Sequence, residues 1–296
     1  MFLFFHALTA ALLAQSALAL VPIGRTASGR PMYVAPNGSR GVQVGNDLQL
    51  LAPNGTLLHT FANVVSGGSK RSSTLARRGD VNFIEASTPL TRTDTLQAFN
   101  TSFVVPPIPA AFDSQLLYLN AAVLVSAGDS DVPFAEVRAV LQYGANAVQG
   151  GSYWSIGTQL ELIPDGGIVA ISPSRDFDPL VQPGTEIVTS STFNDVGDRF
   201  FRYLTQFPFI PGSPVLDFSF NSPALSVAIG LETVGVVKDT DYPAGSVSFK
   251  QTNLTLESGA PEMVWNVSGA GTPSSGGPYL TVDVDGSTNA EFTVHF

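Results

Sequence analysis

The chain has 296 residues, 14 Lys/Arg against 24 Asp/Glu for a formal charge of −10, and no cysteine. Disulfide scaffolding and thiol catalysis are excluded, and the acidic balance argues against a nucleic-acid partner. Of the 3 histidines only His295 lies beyond residue 78, too few for a Ser-His-Asp triad or an ordinary zinc site.

The first stretch is apolar from Phe2-Leu3-Phe4-Phe5 to Leu12-Leu13-Ala14, then reads Ala17-Leu18-Ala19. An apolar run followed by a small-x-small step is the secretory signal pattern, so residues 1–19 are expected to leave by cleavage after Ala19. The alternative is a signal anchor, since about 20 apolar residues can span a bilayer. Secretion implies glycosylation at Asn37, Asn54, Asn100, Asn253 and Asn266, each heading an Asn-x-Ser/Thr triplet. No other long apolar run follows, so no membrane segment is expected after signal cleavage.

Residues 20–78 read as a basic, β-rich prosegment. Asp47-Leu48-Gln49-Leu50-Leu51 and Thr56–Phe61 flank an Asn54-Gly55 turn, a hairpin signal. A Ser/Gly-rich stretch then carries the dibasic pairs Lys70-Arg71 and Arg77-Arg78, which marks Arg71 and Arg78 as processing positions. An ordinary basic linker is the alternative. Residues 1–78 hold 7 Lys/Arg against Asp47 alone, a net of +6, which leaves −16 for residues 79–296. Such asymmetry suits a leader held on an acidic body as an intramolecular inhibitor and released in acid, as carboxylates protonate near about 4.

Residues 79–296 alternate apolar and polar positions in short runs separated by Gly, Pro, Asn and Asp, with no helical period. Strands are predicted at Phe99–Val105, Leu116–Val125, Phe134–Tyr143, Tyr153–Ile163, Glu186–Phe193, Phe200–Phe207, Leu225–Thr233, Ser246–Leu256, Leu280–Val284 and Phe292–Val294. The expected fold is all-β: a double-sheet antiparallel β-sandwich, a concanavalin-like jelly roll, in one domain. No internal repeat stands out, and a monomer is expected.

Two strands carry the polar chemistry. In Leu225–Glu232, period 2 sends Leu225, Val227, Ile229 and Leu231 to the core and leaves Ser226, Ala228, Gly230 and Glu232 opposite, a shallow floor leading to a carboxylate. An exposed face with an incidental acid fits this pattern equally. In Glu136–Gln142, Glu136, Arg138, Val140 and Gln142 share one face, either a cleft wall or a surface Glu136–Arg138 pair beside a hydrogen-bonded Gln. Asp129/Asp131 and Asp176/Asp178 are the loop acids open to calcium, although such pairs are ordinarily solvated; no cofactor or metal is expected.

The order of segments resembles the fungal glutamic peptidases, the eqolisin or scytalidopepsin type. Val140-Leu141-Gln142-Tyr143-Gly144 is similar to that family's Ile-Leu-Gln-Thr-Gly strand. Tyr153-Trp154 leading to Glu161-Leu162-Ile163-Pro164 matches its Tyr/Trp-rich strand, with Gln159, Leu160 and Leu162 where the family favours Trp and Tyr. Pro183–Ile187 and Gly245–Phe249 match later segments, and Glu232 is the acid on the strand that carries the family's catalytic glutamate. The resemblance implies an acid endopeptidase acting on polypeptides, with Gln142 and Glu232 as the dyad and Glu161, Tyr153 and Trp154 in support. Two alternatives remain open: an inactive sandwich that stacks glycans on Tyr143, Tyr153 and Trp154, and a structural cell-wall glycoprotein.

Overall fold

The computed structural model describes residues 20–26, 29–65, 81–128, 130–163, 167–172, 180–194, 200–269 and 277–296. The expected signal segment with Ala19, the dibasic positions Arg71 and Arg78, and Asp129, Asp176 and Asp178 lie outside them. Two large sheets form a β-sandwich, and a 3-10 turn at Asp239–Asp241 is the one helical element among the described residues.

Sheet A contains β1 (Gly24–Arg25), β2 (Pro31–Pro36), β6 (Val81–Pro89), β8 (Leu116–Ser126), β9 (Pro133–Tyr143), β10 (Trp154–Leu162), β11 (Gly167–Ser172), β16 (Ala224–Val234) and β18 (Asn266–Gly269). Their order is β1-β2-β11-β10-β9-β8-β16-β6-β18, with the short β12 (Leu180–Val181) also on β10. Sheet B contains β3 (Arg40–Val44), β4 (Asp47–Leu51), β5 (Leu57–Phe61), β7 (Leu96–Val104), β13 (Glu186–Phe193), β14 (Phe201–Gln206), β15 (Leu216–Phe220), β17 (Ser246–Leu256), β19 (Tyr279–Val284) and β20 (Ala290–His295). Their order is β19-β20-β17-β7-β13-β14-β15-β3-β4-β5.

Residues 20–65, part of the segment expected as a leader and called so below, supply five strands to these sheets. β2 pairs β11 and β3 pairs β15, and both junctions are parallel, whereas the other strand pairs among the described residues are antiparallel. Its apolar residues join the common core: Tyr33, Leu48, Leu50, Leu58 and Phe61 are buried with the rest. Gly41 shows how close the junction is, since a Cβ there would sit 1.8 Å from the Phe218 ring.

Stability without cysteine rests on burial, with aromatic pairs within sheet B and between it and the segment leading into β18. Phe103 and Phe249 lie 4.8 Å apart, as do Trp265 and Phe292, and each such ring contributes about 1.5–3 kcal/mol by burial. Strand alternation sorts the sheet A residues as expected. Val137, Ala139 and Leu141 of β9 and Val227, Ile229 and Leu231 of β16 face the core. Leu225 is the exception, only half-buried, because a bulge between Ala224 and Ser226 shifts the register there.

Candidate functional site

The outer face of sheet A is assembled by three adjacent registers. Gln142 on β9 pairs Tyr118 on β8, which pairs Glu232 on β16. One step along, Val140, Asn120 and Gly230 form the next row, and Arg138, Ala122 and Ala228 the one after. Gln142 and Glu232 therefore stand in one row, two strands apart, with the Tyr118 ring between them. Neighbouring strands lie about 4.8 Å apart, so their Cα atoms are separated by roughly 10 Å.

Small residues make this face shallow, and the Arg138 side chain fills it. Arg138 is 1% exposed, and its reach to Glu232 crosses the row of Asn120. Its Nη1 donates to Glu232 Oε2 at 2.8 Å and lies 3.7 Å from Glu136 Oε1. Its Nη2 lies 3.3 Å from Glu161 Oε2, and Nε and Nη2 both donate to Gln159 Oε1, at 3.1 and 2.9 Å. The guanidinium also sits 5.7 Å from the centre of the Tyr118 ring. Burial works against its charge, but Glu232, Glu136 and Glu161 more than offset that and raise its pKa.

The carboxylates are crowded. Glu136 and Glu161 are direct cross-strand partners, where like charges repel. Burial, opposed by Arg138 and reinforced by Glu161, Glu232 and Glu85, pushes Glu136 up to about 8. Glu85, beside Gly230 on β6, is also raised by burial, and it accepts a hydrogen bond from Ser268 Oγ at 3.3 Å. Burial lifts the Tyr118 hydroxyl to about 12.

The other end of the row is held by backbone. Gln142 is fully buried, and its Nε2 donates to the carbonyls of Gly144 at 2.8 Å and Gln149 at 3.0 Å. Asn146 Nδ2 donates to Gln142 Oε1 at 2.9 Å and to the Tyr118 hydroxyl at 3.2 Å. The loop can wrap this tightly because Gly150 (φ +103°) carries no Cβ, which would lie 2.5 Å from Gln142 Nε2. Both donor hydrogens of the Gln142 amide thus clasp the loop after its own strand.

A cleft of about 240 Å³ opens beside this row. Arg25, Thr26, Arg30 and Met32 of the leader line it on one side, and Tyr118, Asn146 and Glu232 on the other. Arg30 forms an ion pair with Glu161, so the leader enters the Arg138 cluster directly.

The structure brings Gln142, Glu232 and Glu161 onto one face, but Trp154 faces the other way. It is buried in the core, its ring 5.3 Å from Tyr143, and its Nε1 donates to Pro107 O at 3.4 Å. The reason is period 2: with Ser155 opposite Gln142, Trp154 must share the inner face with Tyr143. Tyr153 is half-buried, packed against Gly151. Of the Asn-x-Ser/Thr positions expected to be glycosylated, Asn54 and Asn266 are exposed, while Asn37, Asn100 and Asn253 are half-buried. Asn37 Oδ1 accepts from Val215 N at 3.0 Å, which ties the leader to the body.

Sequence reasoning missed Tyr118, Asn120, Asn146, Glu85 and Arg30. The signal for Tyr118 and Asn120 was available, since they are the polar members of β8 on the parity of Ala122. Among the described residues no group of His, Cys, Asp and Glu is placed to hold a metal ion.

No protein-family model matches the chain, and no curated protein matches it. Among solved structures it is similar to Scytalido-glutamic peptidase with a peptide-based transition state analog, at 11% identity and TM-score 0.44. A second complex of that peptidase, with a transition state analog inhibitor, gives 11% and 0.45, and SCP-B, a member of the Eqolisin family, with the tripeptide Ala-Ile-His, gives 10% and 0.43. Each similarity covers 73% of this chain and 98% of the other. At these scores the likeness carries no argument about the chemistry of this chain.

Proposed function

We propose that the outer face of sheet A is the site of an acid endopeptidase, held closed in the form described. The observation that carries this is the row Gln142–Tyr118–Glu232, an amide and a carboxylate on one face of the sheet, with Tyr118 and Glu232 lining the cleft. In the reaction, Glu232 accepts a proton from the water that attacks the scissile carbonyl and returns it to the leaving amine. Gln142 donates its amide hydrogens to the oxyanion and helps position the water. Glu161 orients Arg138 and, through it, Glu232.

Two releases must precede chemistry. The 144–150 loop has to free the Gln142 amide, and Arg138 has to give up Glu232. Leader residues 20–78 act as the inhibitor, since Arg25 and Arg30 stand in the cleft, and acid weakens their hold as carboxylates protonate. In this reading the chain is secreted and acts as a monomer. Its signal is cut after Ala19, its leader is processed at Arg71 or Arg78, and the five Asn-x-Ser/Thr positions are glycosylated.

A second reading, a binding sandwich without catalysis, is favoured by the saturated Gln142 amide and the Arg138–Glu232 pair. Glycan stacking on Tyr143 and Trp154 has no support, because both rings are buried in the core.

Cleavage of denatured haemoglobin between pH 2 and 7 separates the two readings. Wild type is compared with Gln142→Ala and Glu232→Ala, each checked for folding by near-ultraviolet circular dichroism. Activity confined to acid and lost in both folded variants is expected. A processed, folded wild type that cleaves nothing sinks the peptidase.

A further inference from the structure

We propose that this face carries a subsite for a lysine or arginine side chain of a bound peptide, with Glu161 as its anion and Arg30 of the leader as its present occupant. The inference rests on the peptidase reading only for calling that peptide a substrate.

Charge is the first argument. Glu161, 6% exposed, faces two guanidinium groups, Arg138 through Oε2 and Arg30 through Oε1. Arg138 belongs to the strand beside it and cannot leave, whereas Arg30 arrives on the leader. Arg138 is shared with Glu232 and Glu136, so Glu161 takes its second cation from Arg30. Were the leader displaced, a buried carboxylate would lack its counter-charge, a costly state that a cation entering the same cleft relieves.

The second argument concerns the rest of the ligand. Asn120 is 1% exposed, and its Nδ2 has no hydrogen-bond partner. It stands on the outer face of β8 between Val140 and Gly230, neither of which offers a polar side chain. A buried amide donor left without an acceptor loses about 1–3 kcal/mol of desolvation, and Asn120 stands one row in from Tyr118 and Glu232, which line the cleft, so an acceptor brought by a ligand would relieve it. A peptide supplies both groups at once: a backbone carbonyl for Asn120 and a basic side chain for Glu161. The leader already presents that chemistry, with Arg25 and Arg30 lining the cleft.

The test uses the full chain and three fluorescein-labelled peptides identical except for a central Lys, Arg or norleucine, read by anisotropy at pH 6. In wild type the three are expected to bind alike, because Arg30 fills the seat. Arg30→Ala should make the Lys and Arg peptides bind at least about tenfold tighter than the norleucine peptide. Arg30→Lys should behave as wild type. Adding Glu161→Gln to Arg30→Ala should erase the discrimination and leave the norleucine affinity in place. Equal binding by Arg30→Ala, binding of no peptide, or discrimination that survives Glu161→Gln overturns the subsite. If Glu161→Gln does not fold, agmatine must displace the Arg peptide from Arg30→Ala, and failure to do so overturns it equally. Discrimination without haemoglobin cleavage keeps the subsite and removes the peptidase. Cleavage without basic preference does the reverse.

Discussion

Each sheet carries an arginine on its outer face, and the two are treated differently. On sheet B, Arg202 meets Asp217 across β14 and β15, Nε to Oδ1 at 2.8 Å and Nη2 to Oδ2 at 2.6 Å. One cation faces one carboxylate in a bidentate fork, with both side chains reaching solvent at 20% and 14% exposure. On sheet A, Arg138 is 1% exposed and is shared by Glu232, Glu161 and Glu136, with a further arginine brought in by the leader. The Arg202 pair is complete in itself. The Arg138 cluster gathers three carboxylates on one cation and draws a second guanidinium from another part of the chain. An outer face that cannot neutralise itself is where a ligand or a regulatory segment has purchase.

The largest expected difference between the two arginines is in stability. Arg138→Ala takes the shared cation from Glu232 and Glu136 and leaves Glu161 with Arg30 alone, and should cost about 3–5 kcal/mol at pH 7 in urea unfolding, less in acid as carboxylates protonate. An equal loss for Arg202→Ala would break the comparison.

The pH dependence sharpens it. The Glu136 carboxyl is raised by burial from 4.5 to about 8 in the folded state, with Arg138 opposing and Glu161, Glu232 and Glu85 adding to the rise. Between those values the folded form keeps a proton that the unfolded form has released. Stability from this group is therefore full below about pH 4.5 and falls as pH rises to about 8, by a few kcal/mol in all. Thermal unfolding from pH 4 to 9 should show the decline, and Glu136→Gln should flatten it. A wild type whose stability rises across that interval would contradict the buried, protonated Glu136.

Gln142→Ala removes two donated bonds and one accepted bond that hold the 144–150 loop, and should cost roughly 1–3 kcal/mol. Hydrogen exchange of the Gly144 and Asn146 amides, which close that loop by donating to Gly151 O and Gln149 O, should accelerate with it. Unchanged protection would mean that the clasp is not what orders the loop. The smallest effect belongs to Arg202→Ala, about 1 kcal/mol or less, and 1 M salt should shrink it further.

How far these features can be read from the chain depends on their range. Phe99–Val105 and Leu225–Glu232 announce strands because alternation is local, and the same parity places Gln142 and Glu232 on outward faces before any partner is known. Asn54-Gly55 marks the β4–β5 turn for the same reason, since a tight turn is set by its own residues. Trp154 shows where local reading fails. It looks like a cleft aromatic until Ser155 is found opposite Gln142, which turns Trp154 inward. Arg138 could be put on a face but not given a role, because its partners Glu161 and Glu232 lie 23 and 94 residues away in sequence.

By itself the sequence determined the all-β class, the absence of thiols, the charge contrast between residues 1–78 and 79–296, and the parity of polar residues along each strand. All of these follow from composition or from a repeat of two residues. Tertiary structure alone decided that the leader's strands enter both sheets, that Gln142 is clasped by its own loop, and that Arg30 meets Glu161. Those contacts depend on strand order, and strand order comes from how the two sheets close over one apolar core, which no local pattern records.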